Sequence, residues 1–404
     1  MNGNGAEVYS ATSDRSRNYC TVIWAALVLL VVIGFPRIYA TELPMALLLV
    51  PFYFVGFLRF QAKNCYFLLM FSMLFVCWLL VGVAAFLMGD GTTMDISFHL
   101  IVSSKLWLNV FFGYVIYTTV KENNAALLIW LLIQVLVVCV SMMSHEFYQF
   151  LLGFISPRSA SVFQHIFGLR ALGFGLYHVD GALTLVIATY YYLLIAKPSL
   201  PKTLLLVVML PISMAVARSA IVAYVIFSML RRGIIAKLCL CAAVLMMTML
   251  SLIVSQGPLY EGTEIFRNFL NQGELRSDSV SALANMYVLP DNLETYMLGV
   301  GKYFDSDSSG LKFYMGTDVG YLRVLFYSGV GSVLLFVLLN VSGLVSVLGA
   351  RTCTGSYDTK AFAVALACLF IIVNFKGLQV ISIFAFVLCF YASDRNKQSV
   401  QVTP

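Results

Sequence analysis

Three arginines sit in segments suited to holding a phosphate. Arg170 lies in "GLRALGFGLYHVDG", Arg218 in "VARSAIV" and Arg276 in "GELRSDSV". A guanidinium presents a planar fork of donors that matches phosphate oxygens. Two or three together hold a dianion through charge-assisted hydrogen bonds. Each has a plainer reading. Arg170 at an interface meets lipid headgroups, Arg218 snorkels to the surface, and Arg276 pairs with Glu274 or Asp278.

Asp318, in "TDVGYLRVLFYSGVGS", is the carboxylate best placed to take a proton from a hydroxyl, with Glu274 or Asp278 in reserve. The same residue type caps a helix N-terminus, and both roles stay open. His178 follows the glycines after Arg170 and joins the candidate substrate-binding groups. Tyr303, Tyr314 and Tyr321 either stack on sugars or form an interfacial aromatic belt. Lys105, in "IVSSKLWLN", either snorkels or lines a cavity.

Metal chemistry has little support in these residues. His99, His145, His165 and His178 form no HExxH pair; "SHEFYQF" has a single His-Glu and no second histidine. Asp305, Asp307, Ser309 and Gly310 fall at the first, third, fifth and sixth positions of a calcium loop, but Gly316 stands where the bidentate glutamate is required. Gly299-Val300-Gly301 lacks the strand–loop–helix setting of a nucleotide fingerprint. No metal and no cofactor is expected.

The elements that position these groups are apolar helices. The chain has 404 residues, 61% hydrophobic and 11% charged, with mean hydropathy +0.90. Soluble domains carry about 25% charge, so a soluble class is excluded. Long apolar runs without ten-residue alternation predict helices and not an outer-membrane barrel. The reading is an all-α polytopic membrane protein of about twelve transmembrane helices. They fall at 19–36, 40–58, 65–87, 99–119, 124–143, 176–196, 203–217, 219–231, 234–254, 325–349, 360–374 and 377–391. The single membrane domain covers 19–391, between tails 1–18 and 392–404.

Lysines and arginines cluster in alternate loops, which places both termini in the cytoplasm. The net charge of +6 is then topological, and nucleic acid is not an expected partner. Two long loops, 144–175 and 255–317, fall outside. The second is too long for a connector. Its stretches "EIFRNFL" and "SVSALANMYVL" predict short amphipathic helices over the membrane surface. The outer loops contain no cysteine, so no disulfide framework is expected. Cys239 and Cys241 read as buried apolar residues.

"RALGFG", "ARSAIV", "LGVGKYF" and "DVGYLRVLFYSGVGS", in this order and topological placement, resemble the Wzy-type O-antigen polymerases within the superfamily that includes the O-antigen ligases. Ligases typically show His-Asn where this chain has Thr317-Asp318, so the resemblance is to the polymerase branch. It implies a lipid-dependent glycosyltransferase architecture of the GT-C-like kind, in the inner membrane of a Gram-negative bacterium, with the long loops in the periplasm. It implies metal-independent, inverting glycosyl transfer from a glycan on undecaprenyl diphosphate to a lipid-linked repeat unit. A chain-length regulator is a partner implied by the family alone. Arg170 and Arg218 with Asp318 would carry the chemistry; Arg276, His178, Tyr321, Lys105 and Tyr303 would bind substrate. The rival readings are a ligase acting on lipid A-core and a flippase of lipid-linked sugars.

Overall fold

The computed structural model describes residues 20–41, 43–63, 65–195, 200–230, 234–253, 257, 260, 263–273, 278–305, 312–349 and 357–378. Among them the regular structure is helical and no strand occurs beyond two isolated bridges. The apolar helices are α1 (Cys20–Val32), α2 (Val50–Lys63), α3 (Cys65–Met88), α4 (Thr93–Glu122) and α5 (Asn124–Met143). After two short helices, α6 (His145–Leu152) and α7 (Pro157–Phe163), come α8 (His178–Ile195), α9 (Leu200–Val216), α10 (Ala220–Leu230) and α11 (Ile234–Ile253). Three short helices follow: α12 (Glu264–Gln272), α13 (Asp278–Asn285) and α14 (Leu293–Leu298). The described chain ends with α15 (Gly320–Gly349) and α16 (Tyr357–Val373).

Among the described residues five stretches are long and apolar enough to cross a membrane: Met45–Ala62, Phe71–Met88, Thr93–Lys121, Asn124–Met143 and Gly320–Val341. Cys20–Val32, Leu204–Val216, Ala220–Leu230, Leu240–Met249 and Ala361–Val373 are shorter apolar helices. Their outward faces are oily. Phe52, Leu80, Leu136 and Leu334 are all exposed, as suits helices solvated by lipid. Cys241 is exposed as well, which corrects the expectation that it is buried: it lies on an outward face of α11. Most of the expected last span, 377–391, and both tails lie outside the described residues.

The chain divides into two units. The first draws on Met1–Pro51, Val115–Ala220 and Gln256–Pro258; the second draws on Phe52–Tyr114, Ile221–Ser255 and Leu259–Pro404.

In the first unit the expected outer loop 144–175 is not a plain loop. Ser144 caps α6 by accepting from the Phe147 N–H (3.2 Å). Ser156 caps α7 the same way from Ser159, with Pro157 at the first helical position. The two helices build their own core from Tyr148, Leu151, Leu152, Ile155 and Phe163, closed by Leu172. Burial of that many apolar side chains stabilises the excursion.

In the second unit α12 and α13 form where the sequence predicts helices in "EIFRNFL" and "SVSALANMYVL". α15 starts at Gly320, five residues before the expected span. It is broken at Ser328 (φ −142, ψ 22) and Gly329 (φ 75, ψ 178). α4 likewise starts at Thr93 instead of 99. Both early starts carry polar residues into what the sequence suggested were loops.

Two candidate sites, one in each unit

The segment after Arg170 is non-helical yet buried, so its backbone groups need partners. Four successive N–H groups find them. Ala171 donates to the Ala215 carbonyl (2.8 Å). Leu172 donates to Ser141 Oγ (3.0 Å). Gly173 donates to the Leu176 carbonyl (2.8 Å), and Phe174 to Gln134 Oε1 (3.0 Å). Gln134 and Ser141 are both fully buried. They stand seven residues apart, about two turns and roughly 10 Å along one face of α5. The "RALGF" segment therefore runs down the side of an apolar helix to mid-length. Non-helical backbone survives at such a level only when protein groups satisfy it. The polar Gln134 and Ser141 in an otherwise apolar helix are explained by this role.

Arg170 is half-buried at the head of that segment. Its charge reaches Tyr148, whose hydroxyl donates to the Phe163 carbonyl (3.0 Å). Burial pushes the Tyr148 hydroxyl up to about 12, and Arg170 pulls against that. Arg218 is half-buried in the turn between α9 and α10. Ala171, next to Arg170, bonds to Ala215, three residues before Arg218. One backbone hydrogen bond thus joins the segments that carry the two arginines. His178 opens α8, is exposed, and has left-handed backbone (φ 55). A non-glycine residue there is uncommon and such strain gathers at working sites. Phe163 meets its ring edge-on at 6.2 Å.

In the second unit the "LGVGKYF" segment docks on α15. The break at Ser328 and Gly329 releases carbonyls from the helical ladder. Phe326 accepts from the Val300 N–H (2.7 Å) and Tyr327 from the Gly301 N–H (3.0 Å). The next residues are held by Asp95, in the first turn of α4 and 1% exposed. Its Oδ1 accepts from the N–H groups of Tyr303 (2.7 Å) and Phe304 (3.0 Å). Its Oδ2 accepts from the N–H and hydroxyl of Thr92, both at 2.7 Å. A buried carboxylate is tolerable when its lone pairs are filled in this way.

Asp318 precedes α15 and its side chain is 52% exposed. Its carboxylate forms an ion pair with Arg323, one turn inside the helix. Arg323 is 8% exposed, and its guanidinium lies over the Phe313 ring, 3.3 Å from the centroid. Thr317, whose hydroxyl accepts from the Val319 N–H (3.3 Å), holds the turn ahead of the helix.

The remaining expected residues fare differently. Tyr303 is 1% exposed and stacks on Tyr327 at 4.1 Å, so its ring is core and not a platform for sugars. Burial raises its hydroxyl well above the usual value, with Tyr327 and Asp95 adding to the effect. Tyr321 donates to the Ile371 carbonyl (2.9 Å), which ties α15 to α16. Lys105 is on the exposed side of α4, twelve residues from its start at Thr93, or roughly 18 Å by the ~1.5 Å rise. Arg276 and Glu274 lie outside the described residues, as do Asp307, Ser309 and Gly310 of the calcium-like run. Among the described residues no three His, Cys, Asp or Glu side chains gather as a metal site.

Arg323 and Asp95 escaped the sequence reading. Arg323 fell just ahead of the expected span at 325, so its charge within a helix was not apparent. Asp95 had a usable signal. Thr92-x-x-Asp95 before an apolar run is a capping box, and the Thr92 N–H indeed donates to Asp95.

No family model and no curated protein matches this chain.

Proposed function

We propose that the protein is an O-antigen polymerase of the inner membrane, with about twelve spans, both termini cytoplasmic and its long loops in the periplasm. The observation that carries the reading is the Ala171–Ala215 hydrogen bond, which joins the segments that carry Arg170 and Arg218 within one unit. Two half-buried guanidinium groups, with the exposed imidazole of His178 in the same unit, suit a diphosphate leaving group. Such donors stabilise charge that develops as the bond breaks, an effect worth about 100- to 1,000-fold in rate per donor removed.

In the reaction, the non-reducing-end hydroxyl of a lipid-linked repeat unit attacks the anomeric carbon of the glycan on undecaprenyl diphosphate. A carbon–oxygen bond forms with inversion and the bond to the diphosphate breaks. The hydroxyl proton passes to a general base. Undecaprenyl diphosphate leaves with the bonding electron pair, its charge met by Arg170 and Arg218. The lengthened glycan remains on the acceptor lipid.

A deletion strain examined by lipopolysaccharide gel tests this. Core carrying a single repeat unit is the expected pattern. Complete loss of O-antigen from core refutes the polymerase in favour of a ligase or flippase.

A further inference from the structure

The short helix α6 is apolar over more of its circumference than the protein covers. At about 100° per residue, Tyr148, Leu151 and Leu152 form one arc, buried in the core they share with Phe163 and Leu172. His145, Glu146 and Gln149 form a second, polar arc, on which His145 and Glu146 are exposed. Phe147 and Phe150 fill a third, and Phe150 is 50% exposed. An isolated water-facing helix would put polar residues on both uncovered arcs.

Other segments extend the apolar arc. Tyr39, 55% exposed, meets the Phe154 ring edge-on at 5.5 Å and the Phe150 ring at 6.2 Å. Phe150 meets Phe154 at 5.1 Å and Phe147 at 6.1 Å. Two backbone hydrogen bonds fix Tyr39 there: the Arg37 N–H donates to the Phe154 carbonyl (2.7 Å) and the Ala40 N–H to the Gly153 carbonyl (2.8 Å). Both contributors stand at the ends of apolar helices. Tyr39 lies between α1 and the Met45–Ala62 stretch, and only Ser144 separates α5 from α6. Along α5, Leu132, Leu136 and Met143 form one exposed stripe, which ends two residues before α6. The oily outward face of α5 therefore leads to the start of the aromatic patch.

We propose that the Tyr39, Phe147, Phe150 and Phe154 rings seat in the bilayer at the boundary between acyl chains and headgroups, with α6 as an interfacial helix. The ring arc meets phospholipid acyl chains, and the arc of His145, Glu146 and Gln149 meets headgroups and water. Aromatic rings suit that level. A second copy of the chain is a poorer occupant. An aromatic side chain buries about 150–250 Å², so four rings at half exposure or less offer roughly 300–500 Å², short of the about 800 Å² per partner of a stable interface. Leu172, two residues after Arg170, closes the core that α6 builds. The seated helix thus sets the level of the Arg170 segment against the headgroups. This goes beyond the polymerase reading and holds for any reaction at that segment.

The test is photo-cross-linking of the full chain in nanodiscs of dioleoyl-phosphatidylcholine and dioleoyl-phosphatidylglycerol. The photoreactive residue p-benzoylphenylalanine replaces Phe150 or Tyr39 in the patch. It replaces Leu136 on α5 as the lipid-facing reference and Glu146 on the polar arc as the water-facing one. Mass spectrometry of the irradiated protein reads phospholipid adducts. Adduct yields at Phe150 and Tyr39 are expected within about twofold of Leu136 and about fivefold or more above Glu146. Yields at the level of Glu146 overturn the proposal; adducts at Leu136 then assign the failure to the patch and not to membrane insertion. A product of doubled mass from Phe150 or Tyr39 overturns it in favour of a second copy. The two positions come from separate segments, so either decides the matter if the other variant does not fold.

Discussion

Replacing Gly329 by alanine is expected to unseat the Gly299–Gly301 segment from the break in α15. Gly329 has φ 75 and ψ 178, a region that is essentially glycine-only and costs another residue about 1–3 kcal/mol. An added Cβ would also stand 2.1 Å from the Met297 carbonyl oxygen. That atom is backbone and cannot swing aside, so overpacking adds about 1–3 kcal/mol. Relief comes only by moving α14 and the segment after it, which gives up the Val300–Phe326 and Gly301–Tyr327 hydrogen bonds. The expected destabilisation is therefore about 2–6 kcal/mol. Gly331 is the control: it lies two residues on in the same helix, and a Cβ there meets nothing within 4 Å. Gly331→Ala should be neutral or slightly stabilising. Thermal unfolding of the two purified variants in detergent measures the difference, expected at several degrees. Equal midpoints for Gly329→Ala and Gly331→Ala would refute the idea that the break is a docking site.

Four further outcomes follow from the same geometry. Arg170→Ala and Arg218→Ala should each erase the O-antigen ladder while the protein still inserts, and a normal ladder in both would remove the diphosphate cradle. Asp318→Asn should lower turnover by roughly 100-fold or more if the carboxylate is the base; retained turnover of purified lipid-linked repeats would leave it only its ion pair. Asp95→Ala strands the buried N–H groups of Tyr303 and Phe304 and should destabilise by at least about 2 kcal/mol at 1–3 per orphaned group, read as the drop in thermal midpoint. Tyr148 titrates near 12 when folded, against 10.0 for its ordinary value. Its folded value is raised, so the stability it contributes is complete below pH 10 and is lost as pH climbs toward 12. The midpoint of Tyr148→Phe should fall less over that window than that of the unsubstituted protein.

The apolar helices were legible because apolar runs of this length leave little choice; five of the described ones are long enough to cross a membrane. The short helices α12 and α13 were legible because "EIFRNFL" and "SVSALANMYVL" repeat at helical spacing. Arg170 and Arg218 stood out because a charge beside apolar runs is expensive. The bond that brings their segments together was not readable. It links Ala171 to Ala215 through backbone alone, and neither side chain announces it. Gln134 and Ser141 were likewise visible as polar residues in α5, but their partners lie about 30 to 40 residues away in a segment of irregular backbone.

Asp95 separates the two kinds of information within one side chain. Its Oδ2 closes a box with Thr92, three residues back, and that contact follows from local spacing. Its Oδ1 holds Tyr303 and Phe304, 208 and 209 residues on. Nothing local specifies that second contact. It depends on "LGVGKYF" finding the carbonyls freed at Ser328 and Gly329, and that break is itself ambiguous in sequence, since Gly329 and Gly331 both sit in an apolar helix where glycine is tolerated. What distinguishes them is the Met297 carbonyl against one and empty space beside the other. The glycine-rich motif and the broken helix are therefore two halves of one feature, each unremarkable alone. The Asp318–Arg323 pair is built directly on it, because Phe313, the floor under Arg323, is fixed through Phe304 to the same Asp95 oxygen.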